Sequence, residues 1–419
     1  FFYCSHHLKI QTLIGDSSED SFKIYWPVFL CALAVWGLIA LVMSREVHLI
    51  GKINRFISIS LMITLLVFVV KALTIDNLFN MIATIFDFTH VRASDVGLSL
   101  ALAPFICFQT FGRGWGTPLV MASFNDFRSN VHHLSIFAVI GSILFSLACT
   151  FVTIVFYGVL KTKTTGFRFQ AMHPQTSLYV VFPSVFGNDS RFWLLLFFFM
   201  ITSSEISSIT LQLKGLLTSF FDEFEEYRHR KTEITFGLIG FFAFSSLFYC
   251  SNIGFSFFHN LNYFQVFSQA LIFLILLIIV LWIYGPSRFQ RDIHFMLRIS
   301  FPRLLIILIQ IVTPLLILVI LFFGFLFVYH SSHIYSQYEQ IFGLMLKYIP
   351  WLILPAYMIF RLANHIGSIR ERFDKLTKPC DWYPVDIEER QKYEASLGDS
   401  DMSHQLTECT ILADEYENE

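Results

Sequence analysis

The sequence predicts an all-α polytopic membrane protein, and three observations carry that prediction. Runs of roughly 20 apolar residues recur, each long enough to cross about 30 Å of hydrocarbon. Only 14% of the 419 residues are charged, against 55% hydrophobic, with 50 phenylalanines; a soluble domain carries nearer a quarter charged residues. One apolar segment, from about Val96 to Phe124, is interrupted by three glycines at every second position, which an unbroken helix would not sustain.

The elements follow in order. Residues 1–23 are polar and irregular and form an outer loop. The first span covers about Ile24–Met43, and a short basic loop with Arg45, Lys52 and Arg55 leads to the second, about Phe56–Leu73. A loop with Asp76, Asp87 and Asp95 precedes the broken third span, and a polar turn with Asp126, Arg128, His132 and His133 follows it. The fourth span is about Leu134–Leu160. A long loop then leads to the fifth, about Phe192–Phe221, whose apolar run is interrupted by a cluster of polar residues. After a charged hinge, Asp222–Lys231, come spans at about Ile234–Cys250, Phe257–Tyr284, Leu304–Tyr329 and Tyr348–Leu362, about nine in all. The transmembrane domain is thus 24–362. Residues 363–419 turn charged and then acidic, a composition that predicts a mostly disordered tail.

Lys and Arg concentrate in alternate loops, including Arg128, Arg228, Arg230, Lys231, Arg288 and Arg291, and again after the last span. By the positive-inside rule those loops and the C-terminus are cytoplasmic, in a multi-pass protein of the plasma membrane. The formal net charge of −2 gives no electrostatic footprint for nucleic acid, so the expected partners are the lipid bilayer and a small-molecule substrate. A homodimer is compatible with the sequence but not specified by it. The seven cysteines show no metal-ligand spacing, and Cys31, Cys107, Cys149 and Cys250 sit in apolar segments as small packing residues. No His/Asp or Cys/His constellation lies at membrane depth, so the chain does not read as an enzyme. Asn188-Asp189-Ser190 is a glycosylation sequon close to the fifth span, where chance occurrence is the plainer explanation. Residue 1 is Phe, and the chain is expected to be a piece of a longer protein or the product of an incomplete gene model.

The organising stretch is Phe108-Gln109-Thr110-Phe111-Gly112-Arg113-Gly114-Trp115-Gly116. Glycines at every second position cost a helix about 1 kcal/mol each relative to alanine. A broken backbone at membrane depth is tolerated only inside protein or beside a wet cavity. Two half-helices with an unwound joint present backbone dipoles and free carbonyls, which suit ions and zwitterions.

Several motifs together resemble the neurotransmitter:sodium symporter family, the secondary transporters of amino acids and monoamines. Gly112-Arg113-Gly114-Trp115-Gly116 with Ala122-Ser123-Phe124-Asn125 resembles the Gly-x-Gly-Phe-Gly…Ala-Ser-Tyr-Asn of its sixth helix. Trp282-Ile283-Tyr284-Gly285 with Arg288-Phe289 and Asp292-Ile293 resembles the end of its tenth helix and the loop beyond. Gly51-Lys52, Asp222-Glu223-Phe224, and Pro355 with Tyr357, Arg361 and Leu362 match its fifth, eighth and last helices in order and spacing. The resemblance runs from about residue 24 to 378 and implies the inverted-repeat transporter fold, N-terminally incomplete here: helices four to twelve are present, and one to three, which bear part of the substrate and sodium sites, are not.

The resemblance also implies site residues. Sodium is a hard cation that takes oxygen ligands. Ser203-Ser204-Glu205-Ile206-Ser207-Ser208 brings many oxygens into an apolar helix, with Ser204 and Ser208 on one face. In register with the family, Ser204 gives a backbone carbonyl and Ser207 and Ser208 give side-chain oxygens to a second sodium site. Serines in membrane helices otherwise pack closely or bond back to their own helix. Thr110 matches a ligand of the first sodium site, and Ser142 stands where the family has an asparagine ligand. Thr110, Ser142 and Ser146 match the chloride set of animal members, although Ile106 replaces a glutamine of that set. Gln109, Gly112, Trp115 and Ser208 fall on the substrate pocket. Gln109 replaces a phenylalanine, Arg113 sits inside the break, and Asn262 replaces an acidic gate residue. Glu205, where the family has glycine, is a carboxylate at membrane depth that either serves a cation or proton or bonds to a neighbouring helix. The implied activity is sodium-coupled symport of a small amino-acid-like or neurotransmitter-like solute by alternating access. The alternative is a transport-inactive relative serving as an accessory or signalling subunit.

Overall fold

In the computed structural model the described residues are 24–45, 47–75, 78–79, 116–163, 185–186, 191–251, 254, 268–331, 337–377, 384 and 386–397. The described chain is helical and divides into two compact units: residues 1–124 with 130–269, and residues 125–129 with 270–419.

The first unit contains α1 (Trp26–Met43), α2 (Val47–Leu73), α3 (Thr117–Ser123), α4 (Val131–Lys163), α5 (Arg191–Glu223) and α6 (Lys231–Tyr249). Pro27 starts α1 at a position where its missing N–H costs no helical bond. Tyr25 N–H donates to the Cys250 carbonyl at 3.0 Å, tying the start of α1 to the end of α6. Helix α5 is central and packs against α1, α2 and α3. Its first half joins one apolar cluster, in which Phe197 meets Phe68 of α2 edge-on at 6.4 Å, with Val155 and Phe156 of α4 beside them. Its later half joins another, with Leu213, Leu217 and Phe221 against Ile39 and Met43 of α1 and Ile239 of α6. The serine-rich segment 203–208 lies where these two clusters part. Outward faces are apolar: Leu30, Leu41, Ile63 and Leu66 are all more than half exposed, the pattern of helices whose solvent is lipid.

Helix α2 begins at Val47, nine residues before the expected start of the second span. Lys52, Asn54 and Arg55 therefore lie within the helix rather than in the loop. Long basic side chains permit this by extending their charges toward the interface.

The second unit contains α7 (Ser268–Tyr284), α8 (Pro286–Leu297), α9 (Arg303–Ile307), α10 (Thr313–Ser331), α11 (Gln337–Asn364), α12 (Ile369–Thr377) and α13 (Ile387–Leu397). Helices α7 and α8 meet at 94° across Gly285, whose φ of 101° is one that only glycine adopts cheaply. The last turns of α7, Ile279–Tyr284, and the link between α9 and α10, Leu308–Val312, both wind as π-helix. Trp282 Nε1–H donates to the Gln310 carbonyl at 3.3 Å, so the two π segments are joined by a hydrogen bond.

Among the described residues six helices are long and apolar enough to cross a membrane, and seven if the bent pair α7–α8 counts as one span. Most of the broken third span lies outside the described residues. Within residues 363–419 the described segments include two helices, α12 and α13. Short-range polar bonds stand in for the apolar face that the composition lacks. Asp386 accepts from the Glu388 N–H, Arg390 pairs with Glu394, and Lys392 pairs with Glu389.

Candidate functional site

The start of α3 is the described end of the glycine-broken stretch. Gly116 has φ 75°, a left-handed turn that ends any helix arriving from the N-terminal side, and Pro118 follows in the first turn of α3. The half-helix packs closely on α5. A methyl group at Gly215 would stand 3.2 Å from Thr117 Oγ1 and 3.3 Å from its Cα, so the absence of a side chain there sets the approach. Gln109, Thr110, Gly112 and Trp115 lie outside the described residues, as do Arg113, Asn188 and Asn262.

The hydroxyls of α5 divide by their hydrogen bonds. Ser203 Oγ donates back to the carbonyls of Phe199 and Met200, which makes it a helix-satisfied serine. Ser207 instead donates to Asn54 Oδ1 of α2 at 3.0 Å. That bond uses the hydroxyl hydrogen and ties α5 to α2. Ser208 Oγ accepts from Gln212 Nε2 at 3.3 Å, and Ser204 and Ser208 are exposed on one face of the helix. In α4, Ser142 Oγ donates to the Ala138 carbonyl at 2.8 Å, and Ser146, one turn on, is exposed.

Beyond the serines the same helix lines a cavity of about 460 Å³. Trp36 of α1 and Phe242 of α6 form one wall, stacked with centroids 6.0 Å apart, and Gly116, Thr117, Gln212 and Ser219 bring the polar groups. Lys214, on the same stretch of α5, is buried, with 9% of its surface exposed. Glu205 is exposed and lies about 13 Å from it along the axis, too far for a direct bond.

Residues 1–365 match the model of the Sodium:neurotransmitter symporter family. The chain belongs to that family. It is 26% identical over 397 residues to the sodium- and chloride-dependent glycine transporter 1 of Xenopus laevis, covering 92% of this chain and 62% of the relative. It is 22% identical over 394 residues to the sodium- and chloride-dependent neutral and basic amino acid transporter B(0+) of Mus musculus, covering 90% and 61%. The chain thus spans about three-fifths of the length of these curated relatives. As a member of a symporter family it is a multi-pass membrane protein and not an enzyme.

Asn54, the partner of Ser207, is a residue that sequence reasoning in this symporter-family chain did not single out. A lone asparagine between Lys52 and Arg55 reads as loop, and its partner Ser207 is 153 positions away. Trp36, Phe242 and Gln212 were likewise indistinguishable from ordinary spanning residues.

Proposed function

We propose that the whole protein is a sodium-coupled secondary symporter of a small amino-acid-like or neurotransmitter-like solute, working by alternating access in the plasma membrane with its C-terminus in the cytoplasm. The observation that supports this reading best is the Ser207–Asn54 bond. It holds a hydroxyl in the register of the second sodium site with its lone pairs free, next to the exposed Ser208. Sodium bound there favours the conformation that receives substrate, because a ligand shifts a population by its differential affinity for the two states. Thr110 and Ser142 supply the first sodium site in the same reading. Gln109, Gly112, Trp115 and Ser208 line the substrate pocket, and Gln109 makes it more polar than a phenylalanine would. The names of both relatives include chloride, and Thr110, Ser142 and Ser146 are the residues proposed to hold it.

The test is sodium-dependent uptake of an amino-acid panel by cells expressing the full-length protein and its Ser208→Ala and Thr110→Ala variants. Each variant is expected to need more sodium for half-maximal uptake. Unchanged sodium dependence in both would overturn the site assignment. No sodium-dependent uptake of any solute by the unaltered protein would favour the accessory-subunit alternative.

A further inference from the structure

Lys214 is a buried cation for which the proposed transport site has no use. It stands nine residues before the end of α5, about 13 Å along the axis. It is 9% exposed and forms no hydrogen bond or ion pair among the described residues. Taking an ammonium out of water without a counter-charge is expensive, and buried charges in proteins are paired as a rule. A buried lysine without a carboxylate therefore calls for an anion from elsewhere.

What Lys214 faces sharpens the question. Leu217 and Phe221 share its face of α5, and both belong to the apolar cluster against which Ile234 and Ile239 of α6 pack. Lys231 opens α6 three residues before Ile234, so it borders the same cluster from the other helix, and it is the charge that faces Lys214. Like charges thus meet where a carboxylate would be expected. The hinge does not supply one: Asp222 and Glu225 both pair with Arg228, which also donates to the Phe221 carbonyl. Glu233, in the first turn of α6, is exposed and forms no ion pair among the described residues. Arg230 at the N-cap of α6 makes no side-chain capping bond, so the positive end of this helix adds to the two ammoniums.

We propose that Lys214 and Lys231 form a binding site for a small, weakly hydrated monovalent anion such as chloride, between the last turns of α5 and the first turn of α6. Lys231 is exposed and forms the entrance, while the buried Lys214 forms the floor. The walls, Leu217 and Phe221, are apolar and cannot replace the water that a strongly hydrated ion such as sulfate or fluoride would lose. Two ammoniums supply charge-assisted donors to the ion that does enter. The site is separate from the chloride set proposed above, since Thr110, Ser142 and Ser146 lie on other segments. It does not depend on the symporter reading.

Thermal melting of the full-length protein in lipid nanodiscs tests the site, at fixed sodium and with millimolar chloride replacing gluconate. Every sample carries Ser142→Ala, so that the other proposed chloride set does not mask the signal. Chloride, bromide and iodide are each expected to raise the melting temperature, and fluoride and sulfate are not. Lys214→Met is expected to raise the half-saturating chloride concentration about tenfold or more, and Lys231→Gln several-fold. Lys214→Arg keeps the charge and should keep the response. In gluconate alone Lys214→Met should melt above its Lys214 parent, because it removes a buried charge that has no partner. That gain is the opposite of what misfolding would produce. An equal chloride response with and without Lys214 would overturn the proposal. Stabilisation by inositol hexakisphosphate but not by chloride would also overturn it, by assigning the lysines to a phosphorylated headgroup. If Lys214→Met does not fold, Lys231→Gln decides, and an unchanged chloride response in that variant overturns the site. Absence of uptake by the unaltered protein would sink the symporter reading and leave these melting curves to judge the anion site.

Discussion

Ser207 of α5 donates its hydroxyl hydrogen to Asn54 Oδ1 of α2 across 3.0 Å, and the other polar atom of that amide, Nδ2, is buried with no partner among the described residues. The asparagine is therefore held from one side and aims a donor from the other.

Asn54 is expected to act as a positioning residue for the cation site. Asn54→Ala removes the acceptor, and Ser207 then turns its hydrogen to its own helix, as Ser203 does. The half-saturating sodium concentration for uptake should rise several-fold, about 1 kcal/mol of lost orientation, with little change in substrate preference. Asn54→Asp, which keeps the acceptor, should restore it. A sodium titration in which Asn54→Ala matches the unaltered protein would count against the arrangement.

Lys214 bears on the same site through its charge. It lies six residues beyond Ser208, about 9 Å along the helix axis. Like charges repel strongly where the surroundings are poorly polarisable, so an ammonium on the same helix disfavours a bound cation. Lys214→Met should therefore lower the half-saturating sodium concentration, by up to about tenfold. Sodium-dependent current or uptake reads this directly, and an unmoved midpoint would mean that the Lys214 charge is not felt at Ser208.

Gly215 sets how closely α3 approaches α5, because the Thr117 backbone leaves no room for a larger residue. Gly215→Ala must push α3 away by a few tenths of an ångström, and overpacking of this kind costs about 1–3 kcal/mol. A lowered melting temperature in detergent is expected, together with a loss of uptake larger than the loss of folded protein. Thr117→Ser in the Gly215→Ala background trims a methyl but leaves the crowding against the α3 backbone in place, and should rescue little.

Docking of α13, through Glu389 to Arg128 and through Tyr393 to Asp292 of α8, should be flat across the neutral range and fail at both ends. The hydrogen bond from Arg128, helped by Lys392, holds the Glu389 carboxyl below the usual carboxylate range. Its contribution is present above the ordinary carboxylate pKa and is lost as pH falls through the lowered one. Burial, then the hydrogen bond to the Asp292 carboxylate, pushes the Tyr393 phenol up to about 12, against the nearby Arg291. Its contribution is present below the ordinary tyrosine pKa and is lost as pH rises from there through about 12. The anisotropy of a fluorophore attached beyond Leu397 should hold steady from about pH 5 to pH 9. A transition near pH 6 would place control of docking in another group.

Spanning segments were legible because hydrocarbon thickness forces long apolar runs on the chain, and α1, α4, α5 and α6 begin and end within a few residues of where those runs do. Of the glycine-broken stretch only its last glycine, Gly116, is described, and its left-handed φ is one that glycine adopts cheaply. The elements that escaped are rich in polar residues. Helix α11 starts at Gln337, well before the apolar run, because Gln337, Glu339, Gln340 and Lys347 dilute the hydropathy of its first turns. Helix α13 forms on capping and paired charges that composition averages away. Of the candidate site, the sequence displayed only what one helix carries. Serines four apart on α5 announce themselves, whereas the residue that orients Ser207 sits on another helix and carries no periodic signal.

The two joined π segments give the protein a pair of places where its length is negotiable. A π turn is an α-helix holding one surplus residue. Removing one residue from Ile279–Tyr284 or from Leu308–Val312 would let the helix close up as ordinary α, leaving the turns beyond it nearly in place while changing which side chains the π turn itself presents. The hydrogen bond from Trp282 to Gln310 holds the two surpluses against each other. A deletion in one helix would break that bond, and a matching deletion in the other is the natural compensation, so single-residue indels at these two places should be found together or not at all.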